Sequence, residues 1–215
     1  MSNEQLAIDL GRFNALATGA PQRKSASWTP PALTAFRPGT VLAFDQTLAN
    51  TGWALLQHLG EDGIRLLDAG MIRPPVNGLT SHEDSYARAK FIGDCALRVI
   101  DAYFLPAGPR EVVYERPSME GRRTESALLA GLEIYRASNA TATAVSNRHA
   151  KAVIVGRAGT NADPVTKAHV KAAVEHYVSP SRFMGPGDFP WNEHVRDAVM
   201  LGLTRMYDQM KAATS

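Results

Sequence analysis

Four polar residues of this chain stand in apolar sequence, where a polar side chain needs a specific reason to be present. They are Asp45, Glu115, His194 and Asp197. An unpaired carboxylate in a buried strand costs several kcal/mol or becomes neutral, so a cation is expected to face these acids. Carboxylates combined with a neutral imidazole suit divalent ions such as Mg²⁺ or Mn²⁺. The four residues therefore predict a centre for two divalent metal ions, which is typical of a nuclease.

The two earlier residues each lie near the end of a predicted strand. Asp45 follows the apolar run 41–44 and precedes a small-residue turn and a second apolar run, a pattern that indicates a hairpin. Glu115 ends a short β-branched strand that Pro117 stops. The carboxyl end of a strand is a usual place for a functional site.

The two later residues lie three positions apart at the start of a predicted helix, so they occupy neighbouring faces. Asn192 is the expected N-cap, and positions 195, 198, 199, 202 and 206 are the expected buried stripe. Taken singly, each residue also has an ordinary explanation. Asp45 could belong to a turn, Glu115 could pair with Arg116, and the helical pair could form a capped, salt-bridged first turn.

The order of these features resembles the RuvC family of Holliday-junction resolvases, within the ribonuclease H-like superfamily. The resemblance runs from about Thr40 to the end of the chain. The further segments that match the family pattern are Thr51-Gly52, Gly70-Met71-Ile72-Arg73, Lys151 before Val153-Ile154-Val155-Gly156, Lys167, and Asp197-Ala198.

The chain also departs from that pattern at two places. The family usually has Pro-Gly after its first aspartate, whereas this chain has Gln46-Thr47. The family often places a base-stacking aromatic residue shortly after the glutamate, whereas this chain has Ser118 and Met119 there. Arg122 or Arg123 could take over part of that work by stacking or by contacting phosphate.

The resemblance implies an α/β fold, a ribonuclease H-like mixed five-stranded sheet with helices on both faces. Residues 1–39 are expected to form a partly flexible N-terminal arm, and residues 40–215 the RuvC-like nuclease domain. The predicted strands cover about 40–46, 52–58, 64–71, 111–115 and 141–146. The predicted helices cover about 81–104, 123–138, 147–154, 165–178 and 191–210.

The resemblance also implies a crossover junction endodeoxyribonuclease that resolves four-way junctions by paired symmetric nicks. Two Mg²⁺ or Mn²⁺ ions per active site would share Asp45, with Glu115 on one side and His194 and Asp197 on the other. One ion would activate a water and the other would stabilise the departing 3′ oxygen, leaving 5′-phosphate and 3′-hydroxyl ends. By analogy with the family, the catalytic set also includes Lys151 and Lys167, which would hold or polarise phosphates near the cut.

Paired nicks need two active sites, which members of the family supply as two-fold symmetric dimers, so the resemblance implies a homodimer. The helix from Arg122 to Ser138, with Leu128, Leu132 and Tyr135, is a candidate interface. The alternative is that this helix simply packs on the sheet.

Positive charge is concentrated between Arg116 and Lys171, where nine Lys or Arg face four acidic residues. A basic stretch beside an acidic metal centre favours branched DNA as the partner. The alternative is a set of solvated helix faces. The expected DNA-binding residues are Arg116, Arg122, Arg123, Arg148, Lys151, Arg157, Lys167 and Lys171.

Composition agrees with a single globular domain, at 215 residues, 45% hydrophobic content and a formal net charge of +2. The one cysteine excludes a disulfide within the chain. No apolar run approaches the roughly 20 residues needed to cross a bilayer, and no signal-peptide pattern opens the chain. We therefore expect no membrane association and a cytoplasmic protein, of a bacterial cell or a phage-infected host.

Three other functions fit parts of the pattern. An Asp followed by a Thr-Gly hairpin also opens the actin-like ATPase and sugar-kinase fold, but those proteins need two such domains, and 215 residues cannot hold both. The chain could instead be a broader branched-DNA or flap nuclease, or a module that binds branched DNA without cutting it.

Overall fold

The computed structural model describes residues 29–75, 81–103, 111–117, 124–160, 162–178 and 191–215. The first 28 residues of the predicted arm, Arg122, Arg123 and the stretch 179–190 lie outside these ranges. The strands are Gly39–Asp45 (β1), Thr51–His58 (β2), Ile64–Ile72 (β3), Val112–Arg116 (β4) and Thr143–Ser146 (β5). The helices are Ser81–Tyr103 (α1), Thr124–Ala137 (α2), Asn147–Ile154 (α3), Lys167–Tyr177 (α4) and Glu193–Thr214 (α5).

The five strands form one mixed sheet of order β3-β2-β1-β4-β5. The pairs β1–β2 and β2–β3 are antiparallel, whereas β1–β4 and β4–β5 are parallel. Because β1 and β4 run in the same direction, their carboxyl ends meet at one edge of the sheet. The predicted mixed five-stranded sheet is confirmed, and α5 extends beyond the predicted end at 210 to Thr214.

Alternation along the strands divides the core between the two faces of the sheet. Leu42 and Phe44 point into a cluster with apolar residues of α1 and α2. Val41 and Ala43 point into a second cluster, to which α3, α4 and α5 contribute. Helices therefore cover both faces, as the sequence pattern predicts.

Residues just before β1 pack onto this body. The ring of Phe36 is buried, with its centroid 5.0 Å from that of Tyr177 and 6.1 Å from that of Tyr207. The hydroxyl of Tyr177 also donates to the carbonyl of Pro31 at 3.0 Å. This segment therefore covers the end of the sheet that lies away from the carboxyl edge of β1 and β4.

Across the described ranges, no helix combines the length and the apolar character that crossing a membrane requires.

Candidate active site

The pleat of the sheet places the two strand carboxylates on one face. Asp45 is two residues beyond Ala43, and Glu115 is two residues beyond Val113, so both follow side chains that point toward α5. Asp45 is only 4% exposed, and Glu115 is partly buried. The first two predicted site residues therefore emerge side by side where β1 and β4 end.

A glycine lets α5 approach that edge closely. Gly52 pairs with Asp45 across the hairpin. A Cβ atom at position 52 would lie 2.4 Å from the backbone C and O of His194, a separation that real Cβ atoms essentially never show. Absence of a side chain at Gly52 is thus what allows the first turn of α5 to lie against β2, and it gives the Thr51-Gly52 motif a physical reason.

The start of α5 is fixed by the predicted cap. The side-chain oxygen of Asn192 accepts a hydrogen bond of 3.1 Å from the backbone N–H of Val195. The predicted stripe of Val195, Ala198, Val199, Gly202 and Met206 is buried against the sheet. This stripe sets the rotation of the helix.

That rotation brings His194 and Asp197 to Asp45. Nδ1–H of His194 donates to Oδ2 of Asp45 at 2.9 Å. Asp197 is close enough for the charge of Asp45 to raise its pKa. The four residues singled out from the sequence therefore lie together at one end of the sheet.

Burial and mutual repulsion keep protons in this cluster. Burial, and then the charge of Asp45, raise the pKa of Glu115 to about 8. Burial, and then the charge of Asp45, raise the pKa of Asp197 to about 7. The hydrogen bond to Asp45 raises the pKa of His194. The negative charge of Asp45 is thus compensated by the protons that Glu115 and Asp197 retain and by the imidazole N–H of His194.

Two further residues hold Glu115, and sequence reasoning missed both roles. The side chain of Asn147 hydrogen-bonds Glu115, which lowers its pKa in part, and the Asn147 amide oxygen is buried without a partner among the described residues. Gln46 hydrogen-bonds the Glu115 backbone. Their positions in the sequence could have pointed to these roles. Gln46 directly follows a predicted site residue, Asp45, and Asn147 begins a helix directly after a strand, β5.

The oxygen and nitrogen atoms of these four side chains are of the kinds that bind a divalent metal, although here they hydrogen-bond one another. Among the described residues, no three His, Cys, Asp or Glu side chains stand in an arrangement ready to hold an ion. Both Glu115 and His194 hydrogen-bond Asp45 instead. Oxygen donors and an imidazole with protons to release are nevertheless ligands that Mg²⁺ or Mn²⁺ accepts.

A cavity of about 260 Å³ opens beside Asp197. Lys151 and Lys167, the two lysines predicted by the resemblance, both line it. The charge of Lys151 partly offsets the raised pKa of Asp197, and Lys167 forms an ion pair with Glu193. Arg196, which the sequence analysis did not select, also lines the cavity. A basic recess adjoining an acidic cluster has the charge pattern that a phosphodiester needs.

Some of the other predicted DNA-binding residues are exposed to solvent, and others lie beside a carboxylate. Arg116 and Arg148 are exposed. Arg157 pairs with Asp163, and Lys171 lies 4.0 Å from Glu175. Part of the basic excess counted in the sequence is therefore neutralised locally.

The sheet order, its two antiparallel and two parallel strand pairs, and the helices on both faces are those of a ribonuclease H-like fold. No protein-family model and no curated protein matches the chain in sequence.

Solved structures share the fold. The structure of Thermus thermophilus RuvC matches with a TM-score of 0.60 and 18% identity, over 80% of this chain and 97% of that chain. T. thermophilus RuvC in complex with a Holliday junction substrate matches with a TM-score of 0.57 and 20% identity, over 80% and 96%. The yeast mitochondrial Holliday junction resolvase Ydc2 matches with a TM-score of 0.54 and 10% identity, over 98% and 94%. The resemblance to RuvC is thus confirmed for the fold.

The raised pKa values predict how stability depends on pH. Folded pKa values of about 8 for Glu115 and about 7 for Asp197 exceed the usual 4.5 and 3.8, so the metal-free folded protein holds protons that the unfolded chain releases. The free energy of unfolding therefore falls as pH rises from about 4 to about 8. His194 acts in the same direction, because its stabilising contribution is lost above its raised pKa. Thermal unfolding without metal should show a melting temperature that falls over this range.

Metal should reverse the trend, because ligands must lose their protons to bind it. Mg²⁺ or Mn²⁺ at millimolar concentration should raise the melting temperature, and the rise should be larger near pH 8 than near pH 5. The double variant Glu115→Gln and Asp197→Asn should flatten both dependences. A melting temperature that metal leaves unchanged at both pH values would count against a metal site.

Proposed function

We propose that this chain is a metal-dependent, structure-selective DNA endonuclease that resolves four-way junctions by paired nicks. The observation that carries the proposal is the meeting of Asp45, Glu115, His194 and Asp197 at the carboxyl edge of a sheet with the RuvC fold. The solved RuvC complex with a Holliday junction substrate supports the same kind of DNA as the ligand.

In this proposal, the four clustered side chains would hold two Mg²⁺ or Mn²⁺ ions. When bound, such ions supply an activated water and charge stabilisation for a departing oxygen. Asp45 is the buried member that touches His194 and Glu115, so it would be a ligand common to the bound ions. Asn147 orients Glu115 through its side-chain hydrogen bond.

The basic residues of the cavity bind the DNA backbone beside these ligands. Lys151 lies near enough to Asp197 to lower its pKa, so its ammonium can also reach a phosphate held there. Lys167 can exchange its ion pair with Glu193 for a phosphate oxygen, since its side chain is 78% exposed. The water oxygen would form the new bond to phosphorus as the bond to the 3′ oxygen breaks, and the 3′ oxygen would take up a proton equivalent to the one that the water releases. The products are 5′-phosphate and 3′-hydroxyl ends.

One gel tests the substrate class. Labelled four-way junction, flap, fork and linear duplex are incubated with Mg²⁺, with Mn²⁺ and with chelator. The proposal predicts metal-dependent, symmetric nicks in the junction and much slower cutting of linear duplex. Equal or faster cutting of flaps and forks would make the protein a broader branched-DNA nuclease, and junction binding without nicks in any metal would make it a binding module.

We further propose that the enzyme is a homodimer, because two matched nicks need two sites. Large apolar side chains of α2 support this arrangement. Leu128, Leu132 and Tyr135 are 43, 50 and 37% exposed, whereas Ala130 and Ile134 of the same helix pack into the core. These three residues are therefore not needed to pack α2 on the sheet, and they are free to contact a second copy.

A charge placed on this face should separate the copies. Light scattering of the unaltered protein should give about twice the chain mass of 23.3 kDa, and Leu132→Lys should give a value near one chain. The matched control is Leu67→Lys, which charges a residue of β3 that is 37% exposed. It should leave the mass at two chains. A single-chain mass for the unaltered protein at micromolar concentration would overturn the dimer.

A further inference from the structure

The residue that replaces the family's proline after the first aspartate makes an unusual contact. Gln46 is 2% exposed, and it stands directly after Asp45. Its Nε2 donates to the backbone carbonyl of Glu115 at 2.5 Å, and its Oε1 accepts from the backbone N–H of Glu115 at 2.9 Å. One carboxamide thus satisfies both backbone polar groups of a residue 69 positions away.

This contact continues the sheet where strand pairing stops. The parallel register of β1 and β4 ends at Phe44 opposite Tyr114. Just before β4, the carbonyl of Glu111 accepts from the backbone N–H of Leu42, and position 115, four residues on, faces β1 in the same way. The side chain of Gln46 therefore takes the place of a backbone partner at this next position.

The carboxamide is also confined from above by α2. A Cβ atom at Gly131 would lie 3.2 Å from Nε2 of Gln46 and 3.2 Å from a ring carbon of Tyr114. Helix α2 thus lies directly over the amide. On its other edge, Glu115 is paired with Val145 of β5. The backbone of Glu115 is held on both sides, by β5 and by Gln46.

We propose that Gln46 is a positioning residue that sets the separation of two metal ligands, an inference that rests on the proposed metal-dependent nuclease. It is joined to Asp45 by the chain and to Glu115 by two hydrogen bonds. The carboxyl groups of both acids therefore start from backbone atoms with little freedom to move apart. Replacing residues that hydrogen-bond the side chains of metal ligands typically changes metal affinity or activity by about 10- to 100-fold, and we expect an effect within that range for Gln46.

The test is Gln46→Met, which removes both hydrogen bonds at nearly constant volume, compared with Gln57→Met. Gln57 lies in β2 opposite Thr40, at the far end of the sheet. In metal-free protein, hydrogen exchange of the Glu115 backbone amide should become faster in Gln46→Met and stay unchanged in Gln57→Met. By titration calorimetry without DNA, the Mn²⁺ concentration for half-saturation should rise about 10- to 100-fold in Gln46→Met only.

Cleavage gives a second, separable readout. The junction-nicking rate of Gln46→Met should recover toward that of the unaltered protein as Mn²⁺ is raised, and junction binding in chelator should not change. A mere loss of stability would lower the rate without shifting its metal dependence. If Gln46→Met does not fold, Gln46→Asn serves, since it keeps an uncharged carboxamide but is one methylene shorter and cannot keep both hydrogen bonds to the Glu115 backbone.

The outcomes distinguish a failure of the proposed nuclease function from a failure of the proposed role of Gln46. If the unaltered protein neither binds Mn²⁺ nor nicks junctions, the proposed function fails and the role of Gln46 fails with it. If the unaltered protein does both, and Gln46→Met matches Gln57→Met in amide exchange and in Mn²⁺ affinity, only the role of Gln46 is overturned.

Discussion

Asp45→Asn should abolish junction cleavage while junction binding stays within a few-fold of the unaltered protein. Asp45 lies at the centre of the cluster. It accepts a hydrogen bond from His194, and its carboxylate also hydrogen-bonds the side chain of Glu115. An amide keeps the shape and can still accept from His194, but it removes the charge that a cation needs. A loss on the order of 10³-fold in the cleavage rate is expected, comparable to removing a charge-stabilising group in other enzymes.

The control for this prediction is Asp62→Asn, an equal chemical change at an exposed residue of the β2–β3 turn. It should leave cleavage unchanged. Above about pH 8, where Glu115 and Asp197 are both ionised, Asp45→Asn should also raise the melting temperature of the metal-free protein, since it removes a negative charge that repels both carboxylates. Cleavage retained in Asp45→Asn would remove this residue from the mechanism.

Gly52→Ala should have the largest effect on stability. Its new Cβ would lie 2.4 Å from the backbone C and O of His194, and a helix backbone cannot move aside as a side chain can. The start of α5 must shift, which would carry His194 away from Asp45. We expect a loss of about 3 kcal/mol in the free energy of unfolding, at the upper end for overpacking, and loss of most metal binding. Denaturant unfolding and calorimetry with Mn²⁺ measure the two effects.

A matched variant on the same strand pair is Gly70→Ala. There the Cβ would lie 2.9 Å from the indole nitrogen of Trp53, a side chain that is only partly buried. The indole can turn, so the loss of stability should be smaller and metal binding should persist. Equal effects of the two variants would show that contact between Gly52 and α5 does not control the site.

Local patterns predicted the individual strands and the helical pair, whereas the mixed sheet and the grouping of the four side chains were implied by the resemblance to the RuvC family. Alternating or continuous apolar runs mark β1, β2 and β4, and the spacing of His194 and Asp197 after the Asn192 cap fixes their place on α5. These signals are local, because the period of a strand or helix decides which residues share a face. In the structure, the parallel direction of β1 and β4 brings Asp45 and Glu115 to one edge of the sheet.

Contacts between distant parts of the chain could not be predicted in the same way. Gln46 was visible only as a change of turn residue, since nothing near it in sequence shows that its amide reaches Glu115. The ion pair of Lys167 with Glu193 depends on how α4 and α5 pack. The hydrogen bond from His194 to Asp45 likewise depends on how the start of α5 packs against β1 and β2.

Binding of divalent cations by the four side chains is tested most directly by anomalous diffraction from crystals grown with Mn²⁺. We predict two manganese peaks between the carboxyl groups of Asp45, Glu115 and Asp197 and the imidazole of His194, with His194 turned from its hydrogen bond to Asp45 toward a metal. Absence of any peak at this edge of the sheet, in crystals where the four side chains are ordered and deprotonated, would contradict the proposed nuclease centre.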